Sequence, residues 1–125
     1  MSETRFTTAH EWATLEGDVI TVGITDYAQS QLGDIVYVEL PDVGRTVDQN
    51  EETAVVESVK AAGEVKSPVT GEVKEVNDVL SDEPELVNQD PTVEGWFFKI
   101  KVLEPEQFNE LMDQDAYDKL VAELS

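Results

Sequence analysis

Residues 53–65 read TAVVESVKAAGEV, and this stretch of the chain decides the fold. β-Branched residues are frequent over residues 53–59, which predicts a strand with Val55, Glu57 and Val59 on one face. Residues 62–69 predict its return strand, so Lys60 would lie at the tip of a hairpin. The stretch therefore predicts a paired β-hairpin that projects a single lysine.

Other strands are predicted on both sides of this hairpin. Residues 14–24 are expected to form two strands around a turn at Gly17-Asp18. Residues 35–40 and 72–76 are expected to form one strand each, bounded by Pro and Gly turn signals. The chain is therefore predicted to be mainly β.

Short helices are predicted between the strands and at the C-terminus. Residues 25–32 predict a helix with Thr25 as its cap and Gly33 as its stop. Ser81 is expected to cap a single turn, and Pro105 to open a first C-terminal helix. The last helix is expected to begin behind Asp113 or Asp115 and to pack through one apolar face, made of Tyr117, Leu120, Val121 and Leu124.

Length and composition indicate one domain, residues 1–125. The chain has 125 residues and 40% apolar content, enough for a compact core. Apolar stretches are only a few residues long, so no membrane span is expected. Residues 1–5 lack the features of a secretion signal or a transit peptide, so we expect a cytoplasmic protein.

The chain is strongly acidic, with 28 Asp and Glu residues, eight Lys and Arg residues and a formal net charge of −20. Phosphates of nucleic acids and anionic membranes would be repelled, so neither is an expected partner. The acidic residues are spread between intact apolar segments, unlike those of a disordered acidic tail. We therefore expect a folded, halophilic protein whose self-repulsion is screened at high salt.

Neither metal binding nor catalysis is indicated by the residue types present. The chain has no cysteine, which excludes disulfides and thiolate metal sites. His10 is the single histidine, so we expect it to pack or to form hydrogen bonds. No acid–base pair, activated nucleophile or phosphate-binding loop is visible, and we expect a protein that is not an enzyme.

The position of Lys60 suits a covalent swinging arm. Such a site needs an amine on a tight turn, small neighbours that let the arm move, and a rigid scaffold. Ala61, Ala62 and Gly63 are small, and the valines of the two strands are expected to anchor the hairpin. A solvated loop lysine explains the same spacing, so the residues by themselves leave both interpretations open.

Seven motifs, in order and at suitable intervals, resemble those of one family of lipoyl carriers. They are HEW at 10–12, GITDYAQ at 23–29, LGDIVYVELP at 32–41, ESVKA at 57–61, PVTGEV at 68–73, LVN at 86–88 and GW at 95–96. Over residues 6–124 the chain resembles the H proteins of the glycine cleavage system. The resemblance implies an α+β, mainly β fold, a lipoyl/biotinyl-type β-sandwich (hybrid barrel-sandwich) with short helices and a helical C-terminus.

The resemblance also implies a function. In this family the lysine of the Glu-Ser-Val-Lys-Ala motif, here Lys60, carries lipoate on an amide bond. The carrier takes the aminomethyl group of glycine from a pyridoxal-phosphate glycine decarboxylase to a tetrahydrofolate-dependent aminomethyltransferase. Dihydrolipoamide dehydrogenase reoxidises the arm, and a lipoate ligase or lipoyltransferase attaches it. The resemblance implies a non-catalytic carrier, and we expect a monomer.

Related carriers use a similar hairpin. Biotin carriers place methionines on both sides of the lysine, where this chain has Val59 and Ala61. Lipoyl domains of 2-oxoacid dehydrogenases usually have an aspartate before the lysine, where this chain again has Val59. The sequence does not distinguish the glycine cleavage carrier from an H-like relay protein, which passes lipoyl groups to other enzymes. The relay role is therefore the alternative function.

Two carboxylates are candidates for docking the loaded arm, whose amine is protonated at neutral pH. A pocket beside a carboxylate would hold this amine and its easily hydrolysed carbon away from water. Glu11, in the HEW motif, and Glu64, four residues after Lys60, are the candidates. An ordinary structural or surface carboxylate is the alternative interpretation of each.

Overall fold

The computed structural model describes residues 3–124, so both ends of the expected domain, residues 1–2 and 125, lie outside the described residues. In chain order the elements are β1 Glu3–Phe6, β2 Glu11–Glu16, β3 Val19–Ile24, α1 Asp26–Leu32, β4 Ile35–Glu39, β5 Thr46–Val47, β6 Glu52–Ser58, β7 Ala62–Lys66, β8 Gly71–Val76, α2 Val79–Asp82, α3 Leu86–Gln89, β9 Phe98–Val102, α4 Pro105–Asn109 and α5 Gln114–Leu124. None of these helices is long and apolar enough to cross a membrane.

The strands form two antiparallel sheets. The larger sheet has the order β1-β2-β3-β9-β8-β5, and the smaller one has the order β4-β6-β7. The two sheets pack against each other as a sandwich and do not close into a barrel. The prediction of an α+β, mainly β sandwich with short helices and a helical C-terminus is confirmed.

The main core lies between the inner faces of the two sheets. Ile20 and Ile100 of the larger sheet belong to one buried cluster with Ala54, Val56 and Val65 of the hairpin. Burial of each large aliphatic side chain contributes about 1.5–3 kcal/mol. The hairpin is therefore anchored by its inward-facing residues. Val59 takes no part in this anchoring, because it is 70% exposed.

A second apolar cluster attaches the C-terminal helix to the sandwich. The Phe6 and Tyr117 rings stack with their centroids 4.6 Å apart, and Trp12 completes the buried group. Phe6 and Met112 also exchange backbone hydrogen bonds of 2.8 and 3.0 Å. The predicted apolar face of the last helix packs here through Tyr117, Leu120 and Val121, whereas Leu124 is about half exposed.

Most predicted element boundaries agree with the structure, and several differ for local reasons. The Thr25 cap and the Gly33 stop of α1 are confirmed, and Asp113 Oδ1 accepts a hydrogen bond from the Ala116 amide at the start of α5. The predicted cap at Ser81 is wrong, because α2 begins at Val79 and Ser81 lies inside it.

Three strands were missed, and one predicted strand is too long. Strands β1, β5 and β9 were not predicted from the sequence, although Phe98 and Ile100 alternate with lysines in β9. The return strand of the hairpin ends at Lys66, before residue 69. There Ser67 Oγ turns the chain by donating to the Val69 carbonyl at 2.6 Å, and the next residue is proline, which has no N–H for a ladder.

Candidate functional site

Lys60 lies at the tip of the hairpin formed by β6 and β7, in a turn that Ser58 closes. The Ser58 amide donates to the Ala61 carbonyl at 2.7 Å. The Ser58 hydroxyl oxygen accepts from the amides of Lys60 and Ala61 at 3.3 and 3.0 Å. A serine two residues before the lysine thus provides a side-chain acceptor for amides that a tight turn leaves unpaired.

The strands below the turn form a firm support for it. β6 is the central strand of the smaller sheet and pairs with β4 on one side and β7 on the other. Its register places Glu57 opposite Ala62 and Val56 opposite Gly63. Because Val56 is buried in the core, movement of the hairpin base would expose apolar surface.

The Lys60 amine is available for modification. Lys60 is exposed, and within residues 3–124 no carboxylate forms an ion pair with its ammonium group. Loss of the charge on acylation would therefore break no ion pair. A free amine on a closed turn fits the attachment of a carboxylic acid through an amide bond.

The segment under the turn consists of residues 33–35, which we call the lysine seat. The Val59 amide donates to the Asp34 carbonyl at 3.0 Å. The stem of Lys60 lies over Gly33, where a Cβ atom would be 3.2 Å from Lys60 Cε. Gly33 has φ +85° and ψ −159°, a conformation that is essentially restricted to glycine. This glycine therefore ends α1 and also leaves room for the lysine stem.

Glu11 lies in a different part of the sandwich. Its side chain is 2% exposed, and both carboxylate oxygens accept hydrogen bonds, from the Thr7 hydroxyl at 2.7 Å and from the Lys66 amide at 3.1 Å. Burial raises the pKa of Glu11, against the opposing effects of these hydrogen bonds and of the Lys66 charge. Lys66 ends β7, about 13 Å along the strand from Ala62 at the turn end. The structure thus gives Glu11 contacts that join the two sheets and does not bring it to Lys60.

Glu64 lies closer to the lysine. It is exposed on β7 opposite Val55, about 7 Å along the strand from Ala62. Alternation along the strand puts Glu64 on the outer face of the sheet, because Val65 next to it is buried in the core. Docking of an arm by Glu64 or Glu11 stays a prediction, and the geometry is more favourable for Glu64.

His10 joins the C-terminal helix to the sheet through hydrogen bonds. Its Nδ1 lies 2.9 Å from the Tyr117 hydroxyl, which in turn lies 2.6 Å from Thr25 Oγ1. Burial lowers the pKa of His10 and raises that of Tyr117. The predicted packing or hydrogen-bonding role is confirmed. Over the described range 3–124, no three His, Asp or Glu side chains are grouped as metal ligands.

Comparison with known proteins decides the family. The sequence model described as glycine cleavage H-protein matches residues 4–124. The chain belongs to the glycine cleavage H-protein family. A glycine cleavage system H protein of Rhodospirillum rubrum is 57% identical over 125 residues, which cover 99% of each chain. One from Thermus thermophilus is 54% identical over 116 residues, covering 93% of this chain and 91% of the relative.

A solved H-protein structure supports the fold. The crystal structure of a glycine cleavage system H protein from Mycobacterium marinum superposes with a TM-score of 0.86 at 32% identity. The match covers 96% of this chain and 97% of that one. The glycine cleavage H-protein fold therefore extends over almost the whole chain, as the motif resemblance implied.

One side chain beside the lysine seat, Asn88, was not predicted from the sequence to be part of the candidate site. Asn88 contacts the lysine seat through its carboxamide, by hydrogen bonds to Gly33 and Ile35. The LVN motif at residues 86–88 was the available signal. Asn88 lies 53–55 positions from Ile35 and Gly33 of the lysine seat, so patterns among neighbouring residues could not predict this contact.

Proposed function

We propose that this member of the H-protein family is the lipoyl-bearing carrier of a glycine cleavage system, with lipoate bound to Lys60. The observation that carries the proposal is the exposed Lys60 amine, without an ion-pair partner in the described chain, on a turn closed by Ser58. Family membership supports it independently. We infer that residues 1–125 form one carrier domain that is monomeric and cytoplasmic.

The residues around Lys60 provide attachment and mobility. Lys60 Nζ would attack the carboxyl carbon of an activated lipoate, which a lipoate ligase or lipoyltransferase supplies. The amide would form as the bond from this carbon to the activating group breaks and the amine nitrogen loses a proton. When attached, the lipoyl group supplies a disulfide that accepts the aminomethyl unit derived from glycine. Ala61 and Ala62 are both exposed and small, so they do not obstruct movement of the arm away from the turn. Gly33 leaves the lysine stem unobstructed on the other side.

The carrier would serve several enzymes as a shared substrate. Its partners would be the pyridoxal-phosphate glycine decarboxylase, the tetrahydrofolate-dependent aminomethyltransferase and dihydrolipoamide dehydrogenase. A protein that visits three enzymes needs a reactive group on an exposed projection, and a hairpin tip meets this need. The chain itself would contribute attachment, orientation and recognition, and the enzymes would contribute the catalysis.

Mass spectrometry of protein purified from its native host tests the attachment. A lipoyl mass increment is expected on the Lys60 peptide and should be absent from Lys60→Arg. Reconstitution with glycine and the three partner enzymes then tests the carrier role. An unmodified Lys60 in cells with lipoate and active glycine cleavage would refute the proposal. Lipoyl transfer to other enzymes without turnover of glycine would instead indicate a relay.

A further inference from the structure

The lysine turn rests on the lysine seat, residues 33–35, through both backbone and side-chain contacts. The Val59 amide, beside Lys60, donates to the Asp34 carbonyl at 3.0 Å. The aliphatic stem of Lys60 lies against Gly33. The Ser58 bonds close the turn internally, whereas these contacts join the turn to the segment between α1 and β4.

Asn88 holds the lysine seat at both ends. Its Nδ2 donates to the Gly33 carbonyl and to Gln29 Oε1, each at 2.9 Å. Its Oδ1 accepts from the Ile35 amide at 2.8 Å. The carboxamide thus uses both of its donors and its acceptor in one place. Asn88 clamps the two residues that flank Asp34, whose carbonyl receives the Val59 amide.

An asparagine suits this position because the lysine seat presents a carbonyl and an amide to the same side chain. The backbone changes direction here, where α1 ends and β4 begins, and the pairing of β4 with β6 is irregular between Ile35 and Tyr37. A carboxylate could accept from Ile35 but could not donate to Gly33. An alanine would leave both part-buried groups without these partners, at a cost in free energy.

Asn88 is itself held in place by the core. It belongs to α3, and the preceding residue, Val87, is fully buried in the main apolar cluster. A continuous set of contacts therefore runs from the core through Asn88 and the lysine seat to Val59. Within residues 3–124 the carboxamide bonds to Gln29 and to the lysine seat but not to Lys60, so Asn88 acts on the lysine through the seat.

We propose that Asn88 is a positioning residue for the lysine turn. By fixing residues 33–35, it keeps the Val59 amide bonded to Asp34 and keeps Lys60 in the orientation that a modifying enzyme binds. The contacts exist in the unmodified chain, while the consequence for modification rests on the proposed function of Lys60. Removal of the carboxamide should release the turn from the lysine seat and leave the sandwich folded.

Hydrogen exchange of the unmodified protein tests the structural step. In Asn88→Ala the Val59 amide should exchange about tenfold faster than in wild type, the factor that corresponds to loss of one hydrogen bond. Asn77→Ala is the matched control, since Asn77 is 7% exposed and donates to the Glu94 and Trp96 carbonyls at 2.8 and 2.9 Å. In the control variant, the exchange rate of the Val59 amide should not change relative to the exchange rates of core amides in β3. Equal effects of the two variants on Val59 would overturn the proposal.

The kinetics of lipoate attachment test the consequence. If only a fraction of Asn88→Ala molecules presents the lysine correctly, the apparent KM for the protein should rise about tenfold while kcat stays within about twofold. Asn88→Asp, which keeps the volume and the acceptor but removes both donors, should show the same pattern. General destabilisation would affect the Asn77→Ala control equally and would contradict a positioning role.

The two proposals can fail separately. A wild-type Lys60 that a lipoate-attaching enzyme leaves unmodified would refute the proposed function, and the exchange experiment would still decide whether Asn88 holds the turn. A wild-type Lys60 that is modified normally, with Val59 exchange and KM unchanged in Asn88→Ala, would refute the positioning role alone.

Discussion

Glu11 Oε2 accepts a hydrogen bond from the backbone amide of Lys66 at 3.1 Å, and this contact ties the outer strand of the smaller sheet to the larger sheet. Glu11 lies in β2 and Lys66 in β7, 55 positions apart. Because Glu11 is buried and bonded at both oxygens, its ionisation state affects the joint between the sheets. The hairpin that bears Lys60 therefore depends on a carboxylate at its opposite end.

This relationship predicts a specific pH dependence of stability. Burial raises the pKa of Glu11 above its ordinary value of 4.5, so the folded chain retains this proton to a higher pH than the unfolded chain. The associated stability is present below pH 4.5 and is lost as the pH rises through the raised pKa. Urea unfolding gives the free energy of unfolding of wild type and of Glu11→Gln at each pH. The difference between these two free energies should change between pH 4.5 and the raised pKa and should be constant at higher pH. A constant difference throughout would contradict a raised pKa.

Removal of the Glu11 side chain should weaken the joint itself. Glu11→Ala should lower the free energy of unfolding by about 1–3 kcal/mol, because the Lys66 amide and the Thr7 hydroxyl lose an acceptor. Glu16→Ala is a control on the same strand, since Glu16 is exposed. Its effect should be within about 0.5 kcal/mol. Equal effects of the two substitutions in urea unfolding would contradict the structural role.

If a carboxylate docks the aminomethyl-loaded arm, removal of that carboxylate should speed hydrolysis of the aminomethyl group. Glu64→Gln should release formaldehyde and ammonia about fivefold faster than wild type, the factor expected for an exposed ion pair of about 1 kcal/mol. Glu11→Gln tests the second candidate, and Glu75→Gln, at an exposed position on β8, is the control. Arm docking by these residues would be refuted if Glu64→Gln and Glu11→Gln both released formaldehyde and ammonia no faster than wild type.

Gly33 should be sensitive to substitution for two separable reasons. Gly33→Ala introduces backbone strain of about 1–3 kcal/mol and places a Cβ atom 3.2 Å from Lys60 Cε. Gly17→Ala is the matched control, because Gly17 also has a positive φ, +66°, but has open space around it. Both variants should unfold at lower urea concentration, whereas only Gly33→Ala should also slow lipoate attachment at Lys60. Equal attachment rates would show that the lysine stem tolerates the methyl group.

The net charge of −20 predicts that salt stabilises the fold. Raising KCl from about 0.01 to about 1 M shortens the screening length from about 30 Å to about 3 Å, so repulsion among the carboxylates should fall. The Tm at neutral pH should therefore rise with KCl, and this dependence should be much weaker near the sequence pI of 4.1. A Tm at neutral pH that is insensitive to KCl would refute the halophilic interpretation.

The sequence predicted those features that depend on neighbouring residues. The β-branched run before Lys60 predicted the hairpin, and its tip is where the structure has it. Thr25 and Gly33 marked the ends of α1 because cap and stop signals act within a few residues. Ser81 misled for the same reason: a serine is a cap only where the helix begins, and α2 begins two residues earlier.

The sequence by itself thus determined the mainly β class, the hairpin with Lys60 at its tip and, through its motifs, the family. The tertiary structure alone decided that Glu11 joins the two sheets and that Asn88 clamps the lysine seat. These contacts connect residues 53–55 positions apart. Periodicity and capping report interactions within a few residues, whereas the partners of a buried polar side chain depend on which strands and helices pack together.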